Sequence, residues 1–510
     1  MLKILFCLIL GGLAVGGGAR AGAAEKTGSV SFVVYEGDSN RVMPARIHLT
    51  DATGKTHVAP GLPAWKDHFC MEGEVTLELP PGTYTYVVER GPEYGRDEGL
   101  IGVEVACIRV VEVRLRRIVD MAAAGYWSGD MHVHRAVKDM SLLMRSEDLH
   151  IAPLLTWWNA RSLWAEQALP KDPLVKVDEN SFYRLLGGED ERDGGALLFY
   201  NLDKPFDITW AERFYPCMIR FAEEAREQKN AWVDMEKPFW WDTPLALAHG
   251  VVDSMGIANN HMCRSTMLDN EAWGRARDLP LFPSPHGCGE WSQHIYYQAL
   301  NAGFRIPPSA GSASGVLPNP VGYNRVYVQL EGPLTWDVWW EGLRAGRCFV
   351  TNGPLLQVKA AGQYPGHVFT SDAAVDIDIN ADIVSNDTIA RMEIIKNGMV
   401  DQALDPEART TTIRFDQSGW FLVRVTCDVE DTFRFASTAP YYVEIGAKKK
   451  TINGPSVQFF LDWVNERTAQ IKLDDPSKRQ EVMAYHEQAR TFWETRLQEA
   501  NADVPIATTP

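Results

Sequence analysis

The sequence predicts an α/β protein: a central domain of alternating strands and helices, a β-sandwich on each side of it, and a helical tail. Three observations carry this. Between 120 and 350, strand-like pieces (GDMHVH, ALLFYNL, AWVDMEK, GIANNH, NRVYVQL) alternate with helical or irregular stretches. That is the pattern of mainly parallel strands, with a barrel as one way to close them. Before this region, short β-rich runs (SVSFVVY, ARIHLT, EVTLEL, TYTYVVE, VEVRLRR) are separated by turn residues. After Thr351-Asn352-Gly353-Pro354, cleanly alternating runs return (AVDIDIN, RMEIIKNG, TTIRF, WFLVRVTC).

Taken in chain order, residues 1–23 read as a signal peptide. Lys3 supplies the positive start, Ile4 to Val15 is apolar but too short to span a bilayer, and Ala19-Arg20-Ala21 and Ala21-Gly22-Ala23 both fit a cleavage site. The expected location is therefore secreted or periplasmic, with no membrane insertion after cleavage. Residues 24–119 make a small β-sandwich, turned at Asp51-Ala52-Thr53-Gly54 and Pro80-Pro81-Gly82. Nothing in this part groups acids, bases or nucleophiles along the sequence, so His48, His57 and His68 read as surface or packing residues. Residues 120–350 hold seven of the twelve histidines, which makes them the expected chemical domain. Residues 351–447 form the second sandwich. A helical tail follows over 448–510, where Asp475 is a natural N-cap with Pro476 in the first turn. Val482, Tyr485, Ala489, Trp493 and Leu497 then share one helix face, most simply packed on the body rather than on a partner helix.

Composition excludes some functions. The 510 residues carry a net charge of −17, so phosphate backbones and anionic membrane surfaces repel the chain, and nucleic acid is not an expected partner. After Cys7 in the leader, seven scattered cysteines remain without any CxxC. Mostly buried thiols, with at most one or two bridges, are expected rather than a thiolate zinc site.

The chemistry centres on Gly129-Asp130-Met131-His132-Val133-His134. Side chains two apart on a strand point the same way, so Asp130, His132 and His134 share a face. Two imidazoles with a carboxylate suit Zn, Mn or Fe. The competing reading, of equal weight, is a solvent-facing pair on an edge strand.

GDMHVHR resembles the opening strand of the polymerase and histidinol phosphatase (PHP) metallohydrolase superfamily, and more closely that of the CehA/McbA family. LPPGTYTYVVERGPEY is similar to the carboxypeptidase-regulatory-like β module preceding this domain in secreted members. GGEDERDGGALLFYNL resembles the segment with a metal-bridging Glu, and EGLRAGRCFVTNGPLL the closing segment. The resemblance implies a PHP-like distorted (β/α)7 barrel with divalent metal at the strand ends. It carries His132 and His134 over directly, and Glu189 as the bridging acid. Set against this, Glu189 is also one acid of a run to Asp193. The sequence departs from the family at three ligand positions. Leu155-Thr156-Trp157-Trp158-Asn159 has no histidine, Glu236-Lys237-Pro238 stands for Ala-His-Pro, and Pro308 to Gly315 replaces Ser-Asp-x-His. Glu236 and His261 are the compensating donors, giving one or two ions held by His132, His134, His261 and Glu189 or Glu236. His261 reads equally as a hydrogen-bonded loop residue, and His150, His249, His286 and His294 as structural. The run from Ser309 to Gly315 puts Ala313 where a nucleophile elbow needs serine, so it reads as a tight rim loop.

Two functions follow. One is an exported metal-dependent hydrolase of a small phosphoester or a carboxylic or carbamate ester. In it Asp130 orients a ligand imidazole, and Lys237 or Arg264 neutralises oxyanion charge. The other is a catalytically degenerate barrel that binds a glycan or a protein through its tryptophans, among them Trp157, Trp158, Trp240 and Trp241.

Overall fold

The computed structural model describes residues 27–506, so the signal-peptide expectation for 1–23 lies outside the described residues. The fold is mixed α/β and rich in sheet, with many strands, few helices and sandwich-like pairs of sheets. Among the described residues no helix is long and apolar enough to cross a membrane.

The N-terminal part stacks two sheets. In one, Gly28–Glu36 lies between Glu74–Leu79 and Ile108–Leu115. In the other, Ala45–Asp51 lies between His68–Met71 and Gly82–Glu89. Alternation decides which side faces in: Val30, Phe32 and Val34 are wholly buried and pack with Ile47, Leu49 and Val88 across the gap. The second sandwich follows the same rule. Ile377 and Ile379 of Val375–Val384 meet Ile394 of Ile389–Lys396 and Val423 and Val425 of Gly419–Cys427.

Between them, seven segments close on themselves. Tyr126–Gly129, Ile151–Trp158 and Phe182–Arg192 run parallel. Gly195–Tyr200 is antiparallel to both of its neighbours, Phe182–Arg192 and Trp232–Met235. Ser254–Ala258 and Pro308–Ala310 continue in parallel from Trp232–Met235. The ring closes where Met131 N–H donates to Ala310 O (3.0 Å) and Val133 bridges both Leu154 and Ser314. The expected parallel order fails at Gly195–Tyr200 for a local reason. Arg192 pairs with Gly195, and a two-residue hairpin leaves no length for a crossover helix.

Arg325–Gln329 pairs antiparallel with Tyr126–Gly129 and with Cys348–Thr351, which pairs onward with Phe435–Thr438. The sheet therefore runs from the ring into the second sandwich without a break. The tail helices, Gly454–Gln470 and Pro476–Gln498, pack on the ring side of this core through Phe460, Trp463 and Trp493. Trp493 Nε1 donates to Pro244 O at 3.0 Å, and Arg467 bridges Asp193 and Asp242 at 2.8 and 2.6 Å. Asp475 caps the second helix by accepting from Ser477 N and Lys478 N. The face read from the sequence is thus covered by the body.

Candidate metal site

The strand ends bring the candidates together on one side of the ring, where barrel sites form. His132 and His134 follow Tyr126–Gly129. Glu189 lies on Phe182–Arg192 beside Trp158, and Glu236 directly follows Trp232–Met235. His132 Nε2 and His134 Nε2 are 3.0 Å apart. Glu189 reaches both, Oε1 at 3.5 Å from His132 Nε2 and Oε2 at 3.2 Å from His134 Nε2. All three side chains are at least nine-tenths buried. This group can hold a metal ion: one ligand atom from each residue lies within 4.8 Å of the others. The edge-strand reading of the histidine pair is excluded by this burial.

The protonation pattern follows from the neighbours. His132 Nδ1 faces Glu236 Oε1 at 3.3 Å. A carboxylate only accepts, so Nδ1 carries the proton and Nε2 turns its lone pair to the cluster. Burial works against charge on His132, yet Glu189 and Glu236 raise its pKa. Glu189 stays below its usual range despite burial because both imidazoles face it. His134 Nδ1 is buried without a hydrogen-bond partner.

Glu236 is not a free ligand. Lys237 Nζ binds both its oxygens, at 2.7 and 2.5 Å. Asn260 Nδ2 and Trp240 Nε1 each donate to it at 2.9 Å. Burial would raise its pKa, but Lys237 and His132 hold the carboxyl far down. The orienting role expected of Asp130 therefore belongs to Glu236. Asp130 is corrected to a backbone staple: it accepts from His132 N and Ser312 N (both 3.0 Å), Gly322 N (2.7 Å) and Ser312 Oγ, and no imidazole reaches it. Lys237 is in the site, but its charge is committed to Glu236 rather than open to an oxyanion.

Two further expectations fail. His261 stands outside the group: its Nδ1 bonds Asn270 O at 2.8 Å, and burial followed by the Lys237 charge lowers its pKa to about 4. Arg264 turns away to Glu89 of the N-terminal sandwich at 2.8 Å. A third correction concerns the first sandwich, where sequence reading saw no grouping. His48, Asp67 and His68 meet there with metal-like spacing. His48 Nε2 accepts from Arg46 Nε at 3.0 Å, which forces the proton onto Nδ1, 3.2 Å from Asp67 Oδ2. Both His48 nitrogens are thereby used, and the group is a hydrogen-bonded clamp with no third donor to offer.

The serine run packs against the histidine strand. A Cβ on Gly311 would lie 2.3 Å from His132 Cβ, and Gly315, at φ +101°, sits against the His134 carbonyl. Ser309 Oγ and Ser254 Oγ donate to Asp234, whose pKa burial raises to about 7. His150, His249, His286 and His294 each bond a nearby side chain or carbonyl away from the cluster, as expected. The described cysteines are all free thiols, six of them buried. Aromatic rings wall the site. Trp158 meets His134 edge-on at 5.5 Å, and half-exposed Trp273 stacks on Trp240 at 5.2 Å. Sequence reading missed Trp273, and it named Lys237 and Trp240 without their bonds to Glu236, because nothing local marks these contacts.

No family model and no curated protein matches the sequence. Solved structures that are similar over a small part include GBS52, the minor pilin of Streptococcus agalactiae (18% identity, 19% of this chain and 46% of that one, TM-score 0.16). The Bacillus anthracis TIE protein is 16% identical over 22% of this chain and 20% of its own (TM-score 0.15). A streptococcal ancillary pilin is 16% identical over 22% and 38% (TM-score 0.17). The chain thus spans less than half of each, and likenesses this slight bear neither on its fold nor on its function.

Proposed function

We propose that the chain is an exported, metal-dependent hydrolase of the PHP type, related to the CehA/McbA family, acting on a small phosphoester or a carboxylic or carbamate ester. The observation that carries this reading is the convergence of His132 Nε2, His134 Nε2 and Glu189 in a buried, hydrogen-bonded cluster at the strand ends. The closed seven-segment ring and the leader-like residues 1–23 support it. These three residues would hold one divalent ion, Zn, Mn or Fe. Such an ion supplies Lewis acidity and lowers the pKa of water. Glu236 holds the His132 tautomer, Lys237 keeps Glu236 ionised, and Trp158 and Trp240 limit water at the reacting face.

The test is metal content of the purified chain by inductively coupled plasma mass spectrometry, beside a His132→Ala/His134→Ala double variant. About one equivalent in the parent and none in the folded variant is expected. No metal in either, after metal-supplemented purification, would overturn the reading. It would favour the glycan- or protein-binding alternative, for which the stacked, half-exposed Trp273 is the specific support.

A further inference from the structure

A cavity of about 130 Å³ lies where the first sandwich, the ring and the second sandwich meet. Five arginines line it (Arg46, Arg96, Arg264, Arg325 and Arg434), against three carboxylates: Glu89, Glu147 and Asp387. In a chain with a net charge of −17, this is a local excess of two positive charges.

The carboxylates are already shared out. Glu147 and Glu89 both bind Arg46, and Glu89 also takes Arg264. Asp387 is divided between Arg96 and Arg434. Among the described residues Arg325 has no ion-pair partner. Its guanidinium, 1% exposed, is met only by the neutral carbonyls of Gly322 and Glu147. Arg434 Nε is buried with no acceptor. A buried guanidinium without counter-charge is costly, and unmade hydrogen bonds beside it add to the cost. Guanidinium forks match the oxygens of phosphate and carboxylate.

We propose that this junction cavity is a binding site for a small, doubly charged oxyanion, which completes the charge balance of Arg325, Arg264 and Arg434. The chemistry is shared by inorganic phosphate and by a short dicarboxylate. All three parts of the fold supply groups, so the anion also ties them together. The site is separate from the histidine cluster and does not depend on it.

The test is isothermal titration of the full chain with sodium phosphate and, separately, sodium succinate, each against sodium chloride at matched ionic strength. Thermal melts are recorded in parallel. The expected result is saturable one-to-one binding of at least one of them, with a raised melting temperature; which one binds identifies the source. Binding should weaken at least tenfold in Arg264→Gln, whose side chain is partly exposed and can be lost without unfolding. It should weaken again in Arg434→Lys, which keeps the charge but loses the fork. It should persist in His132→Ala/His134→Ala, so that phosphate captured at the metal cluster is told apart. Absence of saturable binding beyond the chloride control overturns the proposal. So does binding that both arginine variants leave unchanged, or binding lost in the histidine variant.

Discussion

Two clusters in this protein have nearly the same composition and opposite consequences. His132, His134 and Glu189 in the ring, and His48, Asp67 and His68 in the first sandwich, each place two imidazoles around one carboxylate. In the ring, the group behind the first imidazole is a carboxylate, Glu236, which accepts. In the sandwich it is a guanidinium, Arg46, which donates. An acceptor leaves the far nitrogen with its lone pair; a donor takes the lone pair and puts the proton on the nitrogen facing the acid. The sign of one neighbour thus decides whether the first imidazole of such a group has a lone pair to offer an ion, and spacing alone does not show it.

The largest way to break the comparison is to remove the donor. Arg46→Met leaves Glu89 and Glu147 buried without their shared partner. It should destabilise the protein by about 3–5 kcal/mol in urea unfolding, with the metal content of the ring cluster unchanged. Total metal should stay the same or rise, since His48 Nε2 regains its lone pair; a fall would mean that the ring cluster depends on the sandwich and would break the comparison. Next in size, Glu236→Gln weakens the hold on the His132 tautomer. Metal affinity should drop about 10–100-fold by competition with a chelator, while His68→Gln leaves it unaltered; equal effects of the two would erase the distinction.

The third effect is a pH dependence, read as a slope rather than a step. Burial lowers the pKa of His68 from 6.5 to about 3. The unfolded chain therefore binds a proton there that the folded chain refuses. The stability due to neutral His68 is complete above pH 6.5 and is lost as pH falls toward 3, by up to about 1.4 kcal/mol per pH unit. His68→Gln should flatten the stability profile below pH 6.5 by about that slope. Glu93 provides the opposite sign. Burial, then Asp148, raises its pKa from 4.5 to about 7. Its contribution is complete below pH 4.5 and fades as pH rises through 7, so Glu93→Gln should remove a decline across that window, seen in melts at pH 5 and pH 8.

Much of the frame was legible in the chain. The alternation of SVSFVVY and AVDIDIN marks strands with one buried face, and Asp475-Pro476 marks a helix start. The His132/His134 pair was legible as well, because side chains two apart on extended backbone share a side, whereas Glu189 entered only through the resemblance. Asp130 was misread for the same reason: parity along the strand says which way a side chain leaves, and not what it meets. Its partners, Ser312 and Gly322, are about 180 and 190 residues away. The clamp in the first sandwich was illegible because His48 and Asp67-His68 come from separate runs whose pairing is set by the sheet.

By itself, then, the sequence determined the strands, their inward faces, the helix cap and the presence of a histidine pair, all consequences of local backbone period and local hydrogen bonding. Only the tertiary structure decided which acid stands behind His132, that Lys237 is spent on Glu236, that Arg264 faces another domain, and that five guanidiniums meet at a junction. The reason is physical. A proton's position on an imidazole, and the counter-charge of a buried arginine, depend on atoms a few ångströms away in space that ring closure and sheet stacking bring together from distant parts of the chain.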